Sequence, residues 1–367
     1  MRLINTNTLI PGLKLGRSLY NERGQILLNE SVELTERMIQ RLRELEIPFV
    51  YIQEPRTEHI EPAKSISEEL KREAVKTIVD TFAQIEKEDL KASFVIEKAA
   101  KRFNSLIRHI LQEINNNKEL LTLLADVFIH DNYIFTHSLN VTLYSLAIGI
   151  EMKLNQKQIE MLGMGAILHD VGKMLVPAEI LMKPDKLSVE EFEEIKKHSD
   201  LGFHLLRNAV TVPLIVAHCA YQHHERLDGS GYPRGIKGGE IHLFGRIIAV
   251  ADVFDAVTSN RVYRKAMLPH EGLEILYAGS GIQFESKIIE AFRRAVAIYP
   301  VGLMVELSDG RKGIVSKQNT GLSDRPVIEV LEENDKEVDP YEVNLKDRID
   351  LMIVGCDTAI SAASIAR

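Results

Sequence analysis

The sequence predicts a mainly α fold: a helical domain, flanked by a small mixed α/β module before it and a small antiparallel β module after it. Three observations predict this. From about residue 117 to 300, apolar residues recur at helical spacing with almost no period-two alternation. The segments before about residue 55 and after Pro300 instead show short alternating runs and turn dipeptides. The chain has 367 residues, and at roughly 100–200 residues per domain that asks for two or three domains.

Taken in order, residues 1–55 form the first module. Leu13 to Tyr20 reads as extended, Asn21-Glu22-Arg23-Gly24 as a turn, and Gln25 to Leu28 as a second strand. A helix is expected from about Thr35 to Leu45, and a strand from Phe49 to Ile52 after Pro48. Residues 56–116 read as a linker followed by connecting helices. One apolar stripe runs Leu70, Ala74, Ile78, Phe82, Ile85; a second runs Ile96, Ala99, Phe103, Leu106, Ile110, Ile114. The heptads are too short for a convincing coiled coil, so packing against the next domain is favoured over the alternative, a homodimer through these helices. Within the helical domain, 117–300, Ser188 to Glu191 is a capping box, with Leu187 and Phe192 placed for a hydrophobic staple. It opens a helix expected to carry His198 three turns in. A helix from Ile159 to about Asp170 is expected to end with Gly172 as its C-terminal cap. In 301–357, Leu303 to Leu307 alternates, Asp309-Gly310 signals a hairpin, Gly313 to Val315 returns, and Val327 to Leu331 adds a strand. Residues 358–367 read as a tail.

Composition narrows the function classes. The chain is 45% hydrophobic and 27% charged, enough for a folded core and too apolar for disorder. Its longest apolar stretch, Val141 to Ile150, is about half of the ~20 residues a membrane span needs. The N-terminus lacks an apolar signal segment, and Cys219 and Cys356 form no CxxC pair, so a reduced, cytoplasmic setting is expected. A net charge of −8 argues against DNA and anionic membranes as partners. An anionic substrate would have to be met by local or metallic positive charge.

Histidine is the informative residue. Among 12 histidines, His137, His169, His198, His223 and His224 share the helical domain with Asp170 and Asp252. Any one of them alone reads as hydrogen-bonded structure. Together they exceed the three or four protein ligands of a single zinc site and suit two metals, if one carboxylate bridges. Asp170, adjacent to His169, is the candidate bridge. Two close metals make sense for a phosphodiester, because they generate a bound hydroxide near neutral pH and stabilise the attacking and leaving oxygens.

These residues fall in blocks that resemble a known family. His169-Asp170-Val171-Gly172-Lys173 is similar to the HD motif of the HD phosphohydrolases. His223-His224-Glu225-Arg226-Leu227-Asp228-Gly229-Ser230-Gly231-Tyr232-Pro233 resembles the signature of the HD-GYP family. Asp252 to Ala256 with Thr258 to Arg264, and His137 to Val141, resemble two further blocks. The resemblance covers about 117–300. It implies a helical domain that hydrolyses the bacterial second messenger cyclic di-GMP to pGpG or on to GMP. It also implies iron or manganese, one ion held by His137, His169, Asp170 and Asp252 and the other by Asp170, His198, His223 and His224. Some members hold a third metal through a glutamate one turn before the first histidine; Tyr133 stands there, so two metals are favoured over three. Glu285-Ser286 replaces the family's usual Asp-Pro and keeps the acid.

Asp170 and Lys173 are the expected catalytic residues, Lys173 also contacting the scissile phosphate. Arg261 and Arg264, three apart, are expected to reach phosphate or guanine, and Tyr232 a phosphate or base from its glycine-rich loop. Asp255 is expected to orient Lys173 from behind. Glu225 and Asp228 are assigned structural roles. His59, His109, His130, His204, His218, His242 and His270 are read as ordinary structural histidines. The Gly-Tyr-Pro loop is also a surface for a protein partner. Two other readings stay open: an HD-type hydrolase of another cyclic dinucleotide or nucleotide, and a non-catalytic domain that binds the messenger or a partner.

Overall fold

The computed structural model describes residues 1–20, 26–45, 47–62, 66–87, 91–116, 133–181, 183, 185–259 and 267–359. The chain divides into two compact units. One is made of residues before 66 together with those after 292, and the other of the helices between them.

The first unit joins residues from both ends of the chain. Its N-terminal part holds β1 (Arg2–Asn5), β2 (Lys14–Leu15), β3 (Leu19–Tyr20), β4 (Ile26–Leu28), helix α1 (Glu36–Glu44) and β5 (Phe49–Gln53). β5 is the centre of an antiparallel sheet ordered β1-β5-β2, while β3 and β4 pair separately. Thr35 caps α1 by accepting from the Met38 amide, and α1 buries Ile39 and Leu42 against Ile4, Leu15 and Ile52. The C-terminal part is a five-stranded antiparallel sheet of β6 (Met304–Leu307), β7 (Lys312–Lys317), β8 (Val327–Glu333), β9 (Lys336–Asn344) and β10 (Ile353–Asp357), in the order β10-β6-β7-β8-β9. The Asp309-Gly310 turn forms as expected, Gly310 taking φ +84°. The two parts are joined by hydrogen bonds from Leu3 N to Gly302 O (2.7 Å), Asn5 N to Thr358 O (2.8 Å) and Tyr51 Oη to Val301 O (2.9 Å).

The expectations for this unit need correction in detail. Leu13 to Tyr20 is two short strands, and its anticipated turn at residues 21–24 lies outside the described residues. β1, β9 and β10 were not anticipated. The start of the expected linker is packed: Thr57 and Ile60 are buried, and their carbonyls receive the Met1 amine. Most of the expected tail, residues 360–367, lies outside the described residues.

The second unit contains α2 (Glu68–Lys87), α3 (Ala92–Asn116), α4 (Tyr133–Glu151), α5 (Gln156–Ile167), α6 (Ala178–Leu181), α7 (Val189–Lys196), α8 (His198–Arg207), α9 (Leu214–Gln222), α10 (Leu243–Thr258), α11 (Pro269–Ala278) and α12 (Ser286–Ala295). The stripes on α2 and α3 are buried inside it, Ile114 only partly, as these helices pack on each other and on α4 and α5. A homodimer through the connecting helices would therefore need another face. Tyr144 of α4 meets Phe254 of α10 edge to face, with centroids 5.2 Å apart, and Phe292 of α12 lies tilted on Phe254 at 4.5 Å; together they fix α4 against α10.

The capping box at Ser188 forms as expected: the Glu191 amide donates to Ser188 Oγ (3.2 Å) and the Ser188 amide to Glu191 Oε2 (2.7 Å). The helix it opens does not reach His198, because the chain breaks at Lys197 and His198 begins α8. Gly172 is likewise no helix cap. It lies in a 3-10 turn, Val171–Leu175, where a Cβ would stand 2.0 Å from the His198 carbonyl oxygen and 2.5 Å from the Gly202 amide. Only a glycine lets the turn carrying Asp170 press against the first turn of α8. Gly172→Ala is expected to lose about 3 kcal/mol in denaturant unfolding, since the clash is with backbone and has no flexible neighbour to move. Gly239→Ala, where nothing lies within 4 Å, should stay within about 0.5 kcal/mol of wild type; equal effects at the two sites would refute the packing argument.

Candidate metal centre

The helices bring all seven expected ligands together. His137 comes from the second turn of α4, His169 and Asp170 follow α5, and His198 opens α8. His223 and His224 follow α9, and Asp252 lies on α10. All are buried except His224, which is partly so. They form two groups: Asp170, His198, His223 and His224, and His137, His169 and Asp252. Within each group the ligand atoms lie within 4.8 Å of one another. Asp170 serves both. Its Oδ1 lies 3.4 Å from His198 Nε2 and 3.7 Å from His223 Nε2, and its Oδ2 lies 3.3 Å from His169 Nε2 and 3.5 Å from His137 Nε2.

The far side of each ring fixes what the near side presents. His169 Nδ1 donates to the Ala166 carbonyl (2.6 Å), His198 Nδ1 to Ile195 (2.7 Å) and His223 Nδ1 to Cys219 (3.2 Å). A carbonyl can only accept, so each Nδ1 carries the proton and each neutral ring turns an Nε2 lone pair inward. His198 Nε2 and His223 Nε2 consequently face each other at 3.3 Å with no proton between them. His169 Nε2 and Asp170 Oδ1 are buried without a hydrogen bond. Converging lone pairs and an unpaired buried carboxylate oxygen are costly alone and fit a cation. Imidazole nitrogen and carboxylate oxygen are also the donor set that divalent transition metals take. The cluster is a metal-binding site.

Protonation matches. Burial pushes the His198 pKa down to about 4, and burial with neighbouring imidazoles holds His223 and His224 well below the ordinary histidine value. Burial would raise the Asp170 carboxyl, but the Lys173 ammonium beside it overrules this and holds it well below the usual carboxylate range. Asp252 is likewise held low against burial, chiefly by the hydrogen bond from His137. His137 differs. Burial opposes its charge, yet hydrogen bonds to Asp252 (3.1 Å) and Asp255 (2.7 Å) raise its pKa to about 9. Without metal, a proton sits where a cation would go.

The surroundings depart from expectation at several residues. Asp255 does not orient Lys173. It accepts from His137 Nδ1 and, at 2.9 Å, from Asn140 Nδ2, so it fixes a ring of the cluster. The Lys173 ammonium pairs with Asp170 Oδ2 at 2.6 Å. Tyr232 stacks on His224, with ring centroids 4.5 Å apart. Arg261 and Arg264 lie outside the described residues, as does the side chain of Tyr133. Glu225 is buried and accepts the Arg234 and Ile236 amides at 2.9 and 3.1 Å, which closes the loop carrying Tyr232. Asp228 makes a turn with Ser230. His218 stays outside the cluster, against Phe203. Sequence reasoning passed over Asn140 and the three carbonyls. Asn140 had a signal, one helical turn after His137, whereas the carbonyls become visible only once helix ends are placed.

The raised His137 pKa has a measurable consequence. Its charged form is stabilised by folding, so that contribution is complete below pH 6.5 and is lost as pH rises through about 9. A metal that takes His137 Nε2 must expel this proton. Apparent Mn²⁺ affinity is therefore expected to rise about tenfold per pH unit between 6.5 and about 9, with about one proton released. A chelator-buffered titration giving a flat profile would exclude His137 as a ligand.

Comparison with known proteins agrees with this geometry. Residues 109–288 match the HD domain family. A cyclic di-GMP phosphodiesterase of Pseudomonas aeruginosa, PA4108, is 35% identical over 216 residues, 59% of this chain and 52% of its own length. A cyclic di-GMP phosphodiesterase of Thermotoga maritima is 37% identical over 203 residues, 55% of this chain and 54% of its own. A 3'3'-cGAMP-specific phosphodiesterase of Vibrio cholerae is 42% identical over 144 residues, 39% of this chain and 33% of its own. The chain thus spans about half the length of the first two relatives. No helix among the described residues is long and apolar enough to cross a membrane. The helical part of the chain, residues 109–288, thus matches the HD domain family, and its buried His and Asp cluster lies within that match.

Proposed function

We propose that this protein is a metal-dependent phosphodiesterase that hydrolyses cyclic di-GMP to pGpG or on to GMP. The observation that carries the reading is Asp170, whose two oxygens face two different groups of histidines. Two ions, iron or manganese, fit this arrangement. His137, His169, Asp170 and Asp252 would hold one, and Asp170, His198, His223 and His224 the other. When bound, the metals supply Lewis-acid charge and a water acidic enough to react near neutral pH.

The chain's own residues do the rest. Neutral imidazoles and ionised carboxylates are ready to ligate without first losing protons, His137 excepted. Lys173, partly exposed beside Asp170, holds its ammonium next to the cluster, where it can donate to a phosphoryl oxygen as charge develops. Tyr232, stacked on His224, offers a ring at the edge of the cluster, and Arg261 and Arg264 are assigned to phosphate or guanine. Buried Glu225 keeps the Tyr232 loop in place. A second reading, hydrolysis of a different cyclic dinucleotide, is favoured by the identity to the 3'3'-cGAMP-specific enzyme.

The test is hydrolysis of cyclic di-GMP by anaerobically purified protein, with metal content measured on the same sample. About two metals per chain and cleavage are expected, and both should be lost in His169→Ala, Asp170→Ala. No cleavage at full iron or manganese occupancy would overturn the substrate, and about three metals per chain would overturn the count. Lys173→Met is expected to keep its metals and lose about 100- to 1,000-fold in kcat; unchanged turnover would remove Lys173 from the chemistry.

A further inference from the structure

Lys196, in the last turn of α7, holds its ammonium near two aromatic rings. It lies 5.0 Å from the Phe192 ring centroid and 5.5 Å from that of Tyr232. Tyr232 stacks on His224 at 29° between ring planes and meets His198 edge-on at 6.3 Å. Ring and cation groups therefore lead outward from the metal ligands in the order His224, Tyr232, Lys196, Phe192. Phe192 stands where a hydrophobic staple would fold inward, yet it is 46% exposed. An apolar ring left open beside a cation, at the rim of a polar centre, is a surface that a flat ligand can cover. The Lys196 ammonium also pairs with Glu193 at 2.6 Å, but Glu193 is 59% exposed, and such a surface pair is weak enough to yield to a ligand.

Resting on the phosphodiesterase reading above, we propose that Phe192 and Lys196, together with Tyr232, form the subsite for a purine base of the substrate. The rings supply stacking faces, and the ammonium donates to the base edge. Guanine presents O6 and N7 side by side, both acceptors, whereas adenine replaces O6 with a donor amino group. A lysine at this point therefore selects guanine over adenine, and α7 becomes the element that sets base preference.

The experiment compares Lys196→Met and Phe192→Ala with wild type in the manganese-loaded full chain. The substrates are cyclic di-GMP and bis(p-nitrophenyl) phosphate, a phosphodiester without a base. Each variant is expected to raise KM for cyclic di-GMP about tenfold with kcat within about twofold, and to leave kcat/KM for the baseless diester within about twofold. Unchanged KM in both variants would overturn the subsite, and so would equal losses on both substrates. A loss in Lys196→Met alone would also overturn it, since a phosphate contact does not need the Phe192 ring. If wild type cleaves the baseless diester but not cyclic di-GMP, the substrate reading fails by itself. The subsite is then read from GMP and AMP binding by calorimetry. Both variants should weaken GMP about tenfold, and Lys196→Met should narrow the preference for GMP over AMP; unchanged binding would overturn the proposal.

Discussion

Imidazole lone pairs and carboxylate oxygens buried and turned towards one another are the constraint on which the helical unit is built. Two of these atoms, His169 Nε2 and Asp170 Oδ1, are buried with no hydrogen-bond partner. His198 and His223 present Nε2 to Nε2, and Asp170 keeps a buried oxygen without a hydrogen bond. Burying such groups unpaired costs up to several kcal/mol each, so the surrounding structure has to enforce the arrangement. It does so from behind the rings. Ala166 and Ile195 lie in the last turns of α5 and α7, and their carbonyls accept the Nδ1 protons of His169 and His198. Helix ends thus meet at the cluster, and their carbonyls orient its rings. The aromatic contacts of Tyr144, Phe254 and Phe292 and the bare backbone of Gly172 hold those ends in register.

Charge follows the same logic. The chain carries a net −8, yet the proposed substrate is an anion. Positive charge is therefore local. The Lys173 ammonium touches Asp170 and helps keep that carboxyl ionised, so one side chain both prepares a ligand and stands ready for phosphate. Asp252 and Asp255 do the reverse for His137 and concentrate negative charge around a ring that holds a second proton. A cation entering there meets a site already balanced for it.

The candidate ligands were legible in the sequence because they occur in compact blocks, where adjacent residues such as His169 and Asp170 reveal one another. The helical class was legible because its apolar spacing is long and regular. What escaped depends on contacts distant in sequence. Asp255 sits three residues after Asp252, which pointed to a supporting role, but its partner His137 is 118 residues away and is reached only through the packing of α10 on α4. The break before His198 had no local signal, since Lys196-Lys197-His198 is ordinary helix sequence. β9 was hidden for another reason. It is an edge strand, mostly exposed, so it carries no alternation to read.

The pairing of both chain ends in one unit bears on how the protein is made. Leu3 bonds to Gly302 and Asn5 to Thr358, so the first strands have no complete unit to join until the last ones have left the ribosome. At about 5–20 residues per second, that leaves the amino-terminal segment waiting for tens of seconds. The helical unit closes on residues between 66 and 292 and needs nothing made after them. Synthesis therefore completes the metal centre first and the terminal unit last. A nascent chain that has not yet reached residue 302 would carry the helical unit with β1 still unable to reach its bonds to Gly302 and Thr358.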